Sequence, residues 1–354
     1  MSQSNNQYRL FFKKLTNIEG KSITSPQLRV LSFRVKRDLL TKATSTFEVL
    51  QVPTAIDIGD VVGMYDSYGT VVYLGVVTLI DDTSIEAEQM YGIFEDSWYW
   101  NNPRLTTIEQ TLQSILQNDF QQNRDTLMAS IFDCFRLDIA SQTRLTLQSQ
   151  EPQYVVDFSS FLYDIYEKYS IVLGFDIPYQ EGTPSITIGS VDYPKLKIGN
   201  NSVIFRNFNI VTNTYETNKL VVYGEEDSQY RGEWYTTTSG ITDNPSALNR
   251  IQKIKTNIVF SDDDLSILRA SSLRNEIYNH EITCELVMNN KIISFYDFNL
   301  GQEVEIYFNS NYYDTILTGY ELTMSNGVES GVATLRFGLV RTTLTSKLFK
   351  RLNR

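Results

Sequence analysis

Cysteine and histidine are scarce in this 354-residue chain, which contains two cysteines and one histidine. Cys134 and Cys284 belong to no CxxC motif and to no Cys/His cluster, which argues against a disulfide framework or a zinc site and indicates a reducing compartment. No apolar run approaches the ~18 residues that a membrane-spanning helix needs. We therefore expect a soluble protein that is made in the cytoplasm and does not insert into a membrane.

Positive charge is also in short supply. Lysine and arginine number 31 against 42 aspartates and glutamates, so the formal net charge is -11 and the sequence pI is near 4.8. This balance argues against a protein whose main task is to bind phosphates.

Catalytic motifs of the GxSxG, HExxH, Walker and GxGxxG types do not occur. The one histidine, His280, is either a boundary residue or a general base, and the first reading is favoured. Neighbouring carboxylates such as Asp81 and Asp82 lack the spacing of a calcium loop and suit turns or helix caps. We expect no enzyme activity and no catalytic, metal-binding or cofactor-binding residues.

Aromatic residues, by contrast, are abundant. The chain has 22 tyrosines, 19 phenylalanines and 3 tryptophans, a composition that favours strands and wide contact surfaces. Between Tyr8 and Trp100 the sequence reads as five or six short strands separated by turn-rich breaks. This spacing predicts a closed or nearly closed antiparallel unit.

Helical periodicity first appears after this region. Thr106 and Glu109 form a capping-box pattern, and a second apolar face begins with Phe158 and runs to Tyr169. Strand-like text returns with SIVLGFDIP. Residues 105–200 are therefore predicted to form an inserted α+β domain.

The remaining chain returns to strands with SVIFRNFNIV, NKLVVYGEE and ITCELVM, and these are interrupted by a polar, turn-rich segment and an acidic-capped helix. The predicted fold class is α+β, mainly β, with two similar antiparallel tube-like β-barrels, an inserted α+β domain and a small additional lobe. The predicted division is 1–104 for the first barrel, 105–200 for the insert, 201–225 plus 283–340 for the second barrel, 226–282 for the lobe, and 341–354 for a basic C-terminal tail.

Two distant stretches resemble each other. DIGDVVGMYDSYGTVVYLGVV occupies residues 57–77, and NLGQEVEIYFNSNYYDTILTGYEL occupies residues 299–322. The alignment matches Gly59 with Gly301 on the first strand and Gly75 with Gly319 on the second, with a turn two residues longer in the second copy. The repeat positions are Gly59, Val62, Tyr65 and Gly75 in the first copy and Gly301, Val304, Tyr307 and Gly319 in the second.

This likeness has two readings, a chance match between hairpins or a duplicated β-barrel domain. Duplication has a consequence for assembly, because three chains with two similar domains each could form a ring of six near-equivalent units. Such a ring could join a three-fold object to a six-fold one.

Three tryptophans are candidate interface residues. Trp98 and Trp100 follow the first strand-rich region, and Trp234 lies in the polar segment. Carbohydrate stacking is one reading, and packing at a domain or subunit junction is the other and favoured one.

With this order of elements, the chain resembles the central hub proteins of phage tail tips and baseplates. This group includes the N-terminal region of tail-associated lysins and the hub part of type VI secretion spikes. The phrases that carry the resemblance are FEVLQVPTAIDIGDVVGMYDSYGTVVYLGVVTLI, ETNKLVVYGEE, FNLGQEVEIYF and LTGYEL. The family layout implied by the resemblance has two tube-like barrels, a peripheral α+β domain inserted after the first and a smaller lobe interrupting the second.

The resemblance implies a structural role in the virion tail. A homotrimer would close the hexameric tail tube, contact the tube or a distal tail protein, and anchor a spike, fibre or lysin for host attachment, while DNA passes through its channel during ejection. The protein would be synthesised in the cytoplasm of the bacterial host, as part of a phage or prophage. Because only about 14 residues follow GLV (338–340), we expect no peptidoglycan-degrading domain after the second barrel.

The sequence is also consistent with two alternatives. One is a carbohydrate-binding or carbohydrate-cleaving β protein, which the aromatics and scattered carboxylates motivate. The other is a tail-tube or distal-tail component that forms hexamers from one barrel.

Overall fold

The computed structural model describes residues 8–15, 22–24, 27–67, 69–94, 98–99, 107–117, 135–143, 154–155, 158–176, 184–190, 192–199, 204–212, 219–237, 240–247, 256–262, 264–266, 268–269, 272–273, 280–288, 293–325 and 328–338. The basic C-terminal tail predicted for 341–354 lies outside these residues.

The first part of the chain forms a closed circuit of paired strands. Its strands are β1 (Arg9–Leu15), β2 (Ser22–Thr24), β3 (Leu28–Asp38), β4 (Thr44–Val49), β5 (Val61–Tyr65), β6 (Val71–Ile80) and β7 (Ser84–Gln89). β3 pairs with β4, β4 with β7, β7 with β6, β6 with β5 and β5 with β1, and β1 also pairs with the start of β3. All these ladders are antiparallel, and β2 is added beside β1. A 3₁₀ helix over Met90–Phe94 follows.

Strands β1 and β5 are buried on both faces. Phe12 and Val62 belong to the main core cluster, whereas Phe11 and Val61 belong to a second cluster with the helices that follow. Successive side chains of a strand point to opposite faces, so the alternation places one core inside the strand circuit and the other outside it. The outer core is where the inserted segment packs.

The inserted segment is a small α+β unit. Its elements are β8 (Trp98–Tyr99), α1 (Ile108–Ile115), β9 (Arg136–Ile139), β10 (Tyr154–Val155), α2 (Phe158–Tyr169), β11 (Ile171–Asp176) and β12 (Ser185–Ser190). β12 lies between β11 and β9, parallel to β9 and antiparallel to β11, and β8 pairs with β10. The buried faces of α1, α2 and this sheet share the outer core with β1 and β5.

The start of α1 differs by one residue from the capping box expected at Thr106. Thr107 is the N-cap, and its side chain accepts a hydrogen bond from the backbone N–H of Gln110. Glu109 is fully buried and instead accepts hydrogen bonds from Ser141 and Thr143. The carboxylate therefore secures the loop after β9 and does not cap the helix, and Thr106 lies outside the described residues.

The last ten strands form a second strand set and a separate four-stranded sheet. They are β13 (Leu196–Gly199), β14 (Phe205–Thr212), β15 (Lys219–Tyr223), β16 (Tyr230–Thr237), β17 (Gly240–Thr242), β18 (Thr256–Phe260), β19 (His280–Val287), β20 (Glu303–Phe308), β21 (Asn311–Ser325) and β22 (Val328–Gly338).

The second set follows the order β14, β19, β22, β21, β20, β13. Its ladders are antiparallel except for the parallel pairing of β13 with β20. β21 is 15 residues long, and its second half also pairs with β3. This contact joins the two sets into one sheet of 13 described strands over a shared core.

The four-stranded sheet has the order β17, β16, β15, β18 and carries a small core with Leu268 and Leu273 of the helical residues that follow. Here the structure differs from the predicted division, which placed NKLVVYGEE in the second barrel. β15 lies centrally in the four-stranded sheet, between β16 and β18. Its apolar run KLVVY is typical of a central strand in either sheet. The local sequence therefore does not indicate which sheet β15 joins.

The mainly β architecture with an α+β segment is the predicted fold class and is confirmed. None of the helices among the described residues is long and apolar enough to cross a membrane.

Candidate functional site: two matching strand sets and the seam between them

The two strand sets have the same connectivity. The first set has the strand order β3, β4, β7, β6, β5. The second set has the corresponding order β14, β19, β22, β21, β20. The sixth strand of the first set, β1, pairs antiparallel with β5. The sixth strand of the second set, β13, pairs parallel with β20. The likeness therefore extends over five strands and weakens at the sixth.

The glycines that open the two hairpins occupy the same backbone conformation. Gly59 has a φ of +95° and Gly301 a φ of +84°, a region that favours glycine. The N–H of Gly59 donates to the carbonyl of Val77 over 2.9 Å, and the N–H of Gly301 donates to the carbonyl of Leu317 over 2.8 Å. Each glycine thus ties the turn before its hairpin to the returning strand.

The residues around these glycines make a second matching set of hydrogen bonds. The backbone N–H of Asp57 donates to the Asp60 carboxylate over 2.9 Å, and the N–H of Asn299 donates to the side-chain oxygen of Gln302 over 3.0 Å. Asp60 and Gln302 are both buried. A carboxylate in one copy and an amide oxygen in the other serve the same acceptor role.

A matching bulge follows on the returning strands. The register of β6 against β7 shifts at Thr78, and that of β21 against β22 shifts at Thr318. Thr78 donates from its hydroxyl to the carbonyl of Glu86, and Thr318 donates to the carbonyl of Arg336 over 3.2 Å. β-bulges re-aim a strand, so both strands leave their hairpins with a similar bend.

These hydrogen bonds correct the predicted alignment of the second strand. Val77 corresponds to Leu317 by its bonds, so Gly319 corresponds to Leu79 and not to Gly75. The second hairpin turns at Asn309 and Ser310, with φ values of +49° and +64°, whereas the last paired residues of the first hairpin, Tyr65 and Val71, are further apart in sequence. The second turn is therefore shorter, not longer, because a tight turn with two positive φ values needs only two residues.

The other repeat positions lie on the matching strands. Val62 and Val304 are fully buried in the main core. Tyr65 faces the outer core, while Tyr307 is partly exposed and its ring centroid lies 4.8 Å from that of Tyr312. The two tyrosines thus share a strand position but have different surroundings.

Gly75 and Gly319 each permit a close approach, although they do not correspond. A Cβ on Gly75 would lie 2.4 Å from the hydroxyl of Tyr73, and one on Gly319 would lie 2.4 Å from the carboxylate of Asp38. Gly319 lies directly opposite Asp38 in the β21–β3 ladder. It therefore leaves room for the Asp38 side chain where the two sets meet.

The seam, defined as the β3–β21 ladder over residues 33–38 and 319–324, is lined by charged and aromatic pairs. Glu321 accepts from Arg34 over 2.7 Å and lies 3.9 Å from Lys36. The guanidinium of Arg37 lies 5.8 Å from the centroid of the Tyr320 ring and donates to its hydroxyl over 3.3 Å. These pairs fix the register in which the sets meet.

Sequence reasoning missed the seam, the threonine bulges and the Arg37–Tyr320 contact. The bulge had a signal, because VVTLI and ILTGY both place a threonine after two apolar residues. The seam had none, since it joins residues that are almost 300 positions apart and either strand could pair elsewhere.

Of the three candidate interface tryptophans, only Trp234 has a side chain among the described residues. Trp234 is partly buried against the core of the four-stranded sheet, with the Arg269 guanidinium 6.0 Å from its ring centroid. A Cβ on Gly232 would lie 2.5 Å from this ring, so Trp234 packs within its own sheet. Trp98 lies in β8 opposite Val155, its side chain outside the described residues, and Trp100 is outside them altogether.

The buried ionisable groups near β19 are held in neutral forms. Burial lowers the pKa of His280 to about 4, and burial raises the pKa of the Cys284 thiol to about 12. A neutral imidazole and a protonated thiol in an apolar core provide no activated nucleophile. Within the described residues there is no group of three or more histidine, cysteine, aspartate or glutamate side chains that could hold a metal ion.

Solved structures with a similar fold include three tail proteins, two of them from prophages. The tail protein from Neisseria meningitidis aligns over 94% of this chain and 96% of its own, with a TM-score of 0.53 and 13% identity. The 43 kDa tail protein of prophage MuSo2 from Shewanella oneidensis aligns over 94% and 97%, with a TM-score of 0.55 and 9% identity. Prophage tail protein gp18 from Listeria monocytogenes aligns over 98% of both chains, with a TM-score of 0.51 and 12% identity.

No protein-family model and no curated protein sequence matches this chain. The likeness to the tail proteins is therefore one of fold, and it extends over nearly the whole length of each.

Proposed function

We propose that this protein is a structural component of a phage or prophage tail, namely the trimeric hub that closes the hexameric tail tube. The observation that carries the proposal is the pair of matching strand sets, with the same strand order, the same glycine hydrogen bonds and the same threonine bulge. The fold shared with three tail proteins, two of them from prophages, supports it.

Each strand set is proposed to form one tube-like barrel. Three copies with two near-equivalent barrels each present six similar units in a ring, and such a ring can meet a six-fold tube on one side and a three-fold spike on the other. The seam fixes how the two barrels of one chain are joined. Because the β3–β21 ladder is part of a continuous sheet, its backbone hydrogen bonds fix the junction between the two units that one chain contributes to the ring.

The inserted and separate units have a peripheral place in this proposal. The α+β unit packs on the outer face of β1 and β5, and the four-stranded sheet carries its own core. Surfaces outside a ring are available for a distal tail protein and for a spike, fibre or lysin that contacts the host. We propose these as the partners of the assembled hub.

The charge of the chain suits a channel through which DNA passes during ejection. A net charge of -11 gives no general attraction for phosphates, and DNA that must slide through a channel should not be held there. The protein would be synthesised in the host cytoplasm and incorporated into the virion tail.

Three measurements test the proposal. Sedimentation equilibrium of the purified protein should give the mass of three chains, and negative-stain class averages should show three-fold rings. Antibody labelling of particles should place the protein at the distal end of the tail. Six-fold rings of six chains would instead indicate a tail-tube or distal-tail component, and a protein absent from purified particles would refute a tail function.

A further inference from the structure

The seam within one chain shows which strand edges the two sets use to meet. The first half of β21 pairs with β20, and its second half, beyond the Thr318 bulge, pairs with β3. β3 offers this edge because its other edge is occupied by β4. The second set thus contributes the part of β21 beyond the bulge, and the first set contributes the free edge of β3.

The strands that correspond to these two are unpaired at the same edges in the described residues. β6 corresponds to β21, and its pairing with β5 ends at Val76, before the Thr78 bulge. β14 corresponds to β3 and is the terminal strand of the 13-stranded sheet. Leu79 is 48% exposed and Val211 47% exposed at these edges.

Bare strand edges with exposed apolar residues invite pairing with another chain. From the two matching sets we infer that β14 of one copy pairs antiparallel with the distal part of β6 in the next copy and so repeats the β3–β21 seam between chains. The partner is a second copy of this chain, and the inference rests on the proposed trimeric hub. Head-to-tail pairing of this kind closes a ring when the rotation per chain is about one third of a turn.

The register of this intermolecular seam follows from the register within the chain. Arg34 of β3 lies opposite Thr46, and Thr46 lies opposite Glu86, whose carbonyl accepts the Thr78 hydroxyl. Asn209 of β14 lies opposite Thr283, and Thr283 lies opposite Arg336, whose carbonyl accepts the Thr318 hydroxyl. Asn209 therefore corresponds to Arg34. Val211 therefore takes the place of Lys36, two residues further along its strand.

On the other chain, Thr78 of β6 takes the place of Thr318, so Asp81, the residue directly after β6, takes the place of Glu321. Glu321 lies opposite Lys36 in the seam within the chain. Asp81 of one copy is therefore placed opposite Val211 of the next, and both side chains are exposed in the single chain.

Disulfide trapping tests this register. The double variant Asp81→Cys/Val211→Cys is made with Cys134→Ser, while Cys284 is retained because its thiol is buried. Directly opposite residues of antiparallel strands have Cα atoms about 4.5–5.5 Å apart, within reach of a disulfide. On mild oxidation the full chain should give covalent dimers and closed trimers on a non-reducing gel.

Two further pairs serve as controls. Lys36→Cys/Glu321→Cys places cysteines at the corresponding positions within one chain and should give an intrachain disulfide with no covalent oligomer. Asp81→Cys/Arg206→Cys moves one cysteine five residues along β14, about 16 Å from the proposed position, and should give no cross-link.

A charge at the same edge provides a second measurement. Val211→Asp should raise the dissociation constant of the trimer by roughly tenfold or more, because it places a second carboxylate directly opposite Asp81 and like charges on facing strands disfavour pairing. Ile258→Asp is the matched control, since Ile258 is 56% exposed on a strand of the four-stranded sheet and its substitution should leave the trimer unchanged.

The outcomes separate this inference from the proposed function. A protein that sediments as a trimer but gives no Asp81–Val211 cross-link, while the intrachain control oxidises, overturns the strand pairing and leaves the hub intact. A protein that remains monomeric without any cross-link overturns both.

Discussion

Asp38 at the end of β3 forms a salt bridge with Arg336 of β22, across 298 positions of sequence. Both side chains are largely shielded, with 20% and 17% of their surfaces exposed. The pair lies beside Gly319, where a Cβ would come within 2.4 Å of Asp38 and 2.6 Å of Arg336. It connects the last described strand of the second set to the first long strand of the first set.

Removal of one partner of this pair should destabilise the chain. Arg336→Met leaves the Asp38 carboxylate half-buried without its charged donor, and we expect the free energy of unfolding to fall by roughly 2 kcal/mol. Urea denaturation followed by tyrosine and tryptophan fluorescence measures the change. The control is Arg206→Met, which breaks the more exposed Arg206–Glu285 pair and should cost less than about 1 kcal/mol. Equal losses in the two variants would contradict a special role for the seam.

The two hairpin glycines should respond alike to alanine. Gly59→Ala and Gly301→Ala each force a Cβ onto a positive φ, and each should cost roughly 1–2 kcal/mol of unfolding free energy. A Cβ at Gly59 meets no atom within 4 Å, so the cost there is conformational and not steric. Thermal unfolding of both single variants measures it.

Gly199→Ala is the control for this pair, since its Cβ would also meet no atom within 4 Å. Gly199 is not among the glycines with a positive φ, and its substitution should be nearly neutral. A loss at one hairpin glycine and none at the other would argue against equivalent hairpins.

Sequence patterns predicted elements better than they predicted partners. The alternation in β3 and β4, and the glycine that opens each hairpin, are local signals, and both are found at the expected places. β15 has the same kind of local signal, but pairing decides its sheet, and pairing depends on residues far away in the chain.

The sequence alignment of the two hairpins is correct at the start of their first strands and wrong on their second strands. Gly59 and Gly301 align because the backbone needs a positive φ at both positions. Gly75 and Gly319 are both required by close neighbours, yet those neighbours differ, so a shared residue type gave a false alignment. Hydrogen bonds at Thr78 and Thr318, which sequence reasoning did not use, define the actual correspondence.

Trp234 should contribute to stability and not to carbohydrate binding. Trp234→Ala removes a ring that packs on the core of the four-stranded sheet and leaves Gly232 uncovered, so we expect a local loss of about 2–3 kcal/mol. Limited proteolysis should then cleave first within residues 219–273. Tyr230→Ala on the same strand is the control, because Tyr230 is 58% exposed and should change the cleavage rate little. Glycan-array binding that disappears in Trp234→Ala without faster proteolysis would instead support the carbohydrate hypothesis.

His280 should make the protein acid-sensitive in a defined pH range. Burial lowers its pKa from 6.5 to about 4, so the unfolded chain binds a proton more readily than the folded chain. The stability contributed by the neutral imidazole is fully present above pH 6.5 and is lost as the pH falls from 6.5 toward 4. The full loss approaches about 3 kcal/mol, at 1.36 kcal/mol per pKa unit.

Because the chain has one histidine, this effect can be isolated. The imidazole Hε1 resonance of the folded protein should titrate near pH 4, and the difference in unfolding free energy between the wild type and His280→Gln should shrink as the pH falls from 7 to 4.5. Asp60, whose pKa is raised by burial, is present in both proteins, so its contribution cancels in the difference. A resonance that titrates near pH 6.5 would show that the imidazole is hydrated. That result would contradict the burial of His280, which is 4% exposed in the core around β19 and β22.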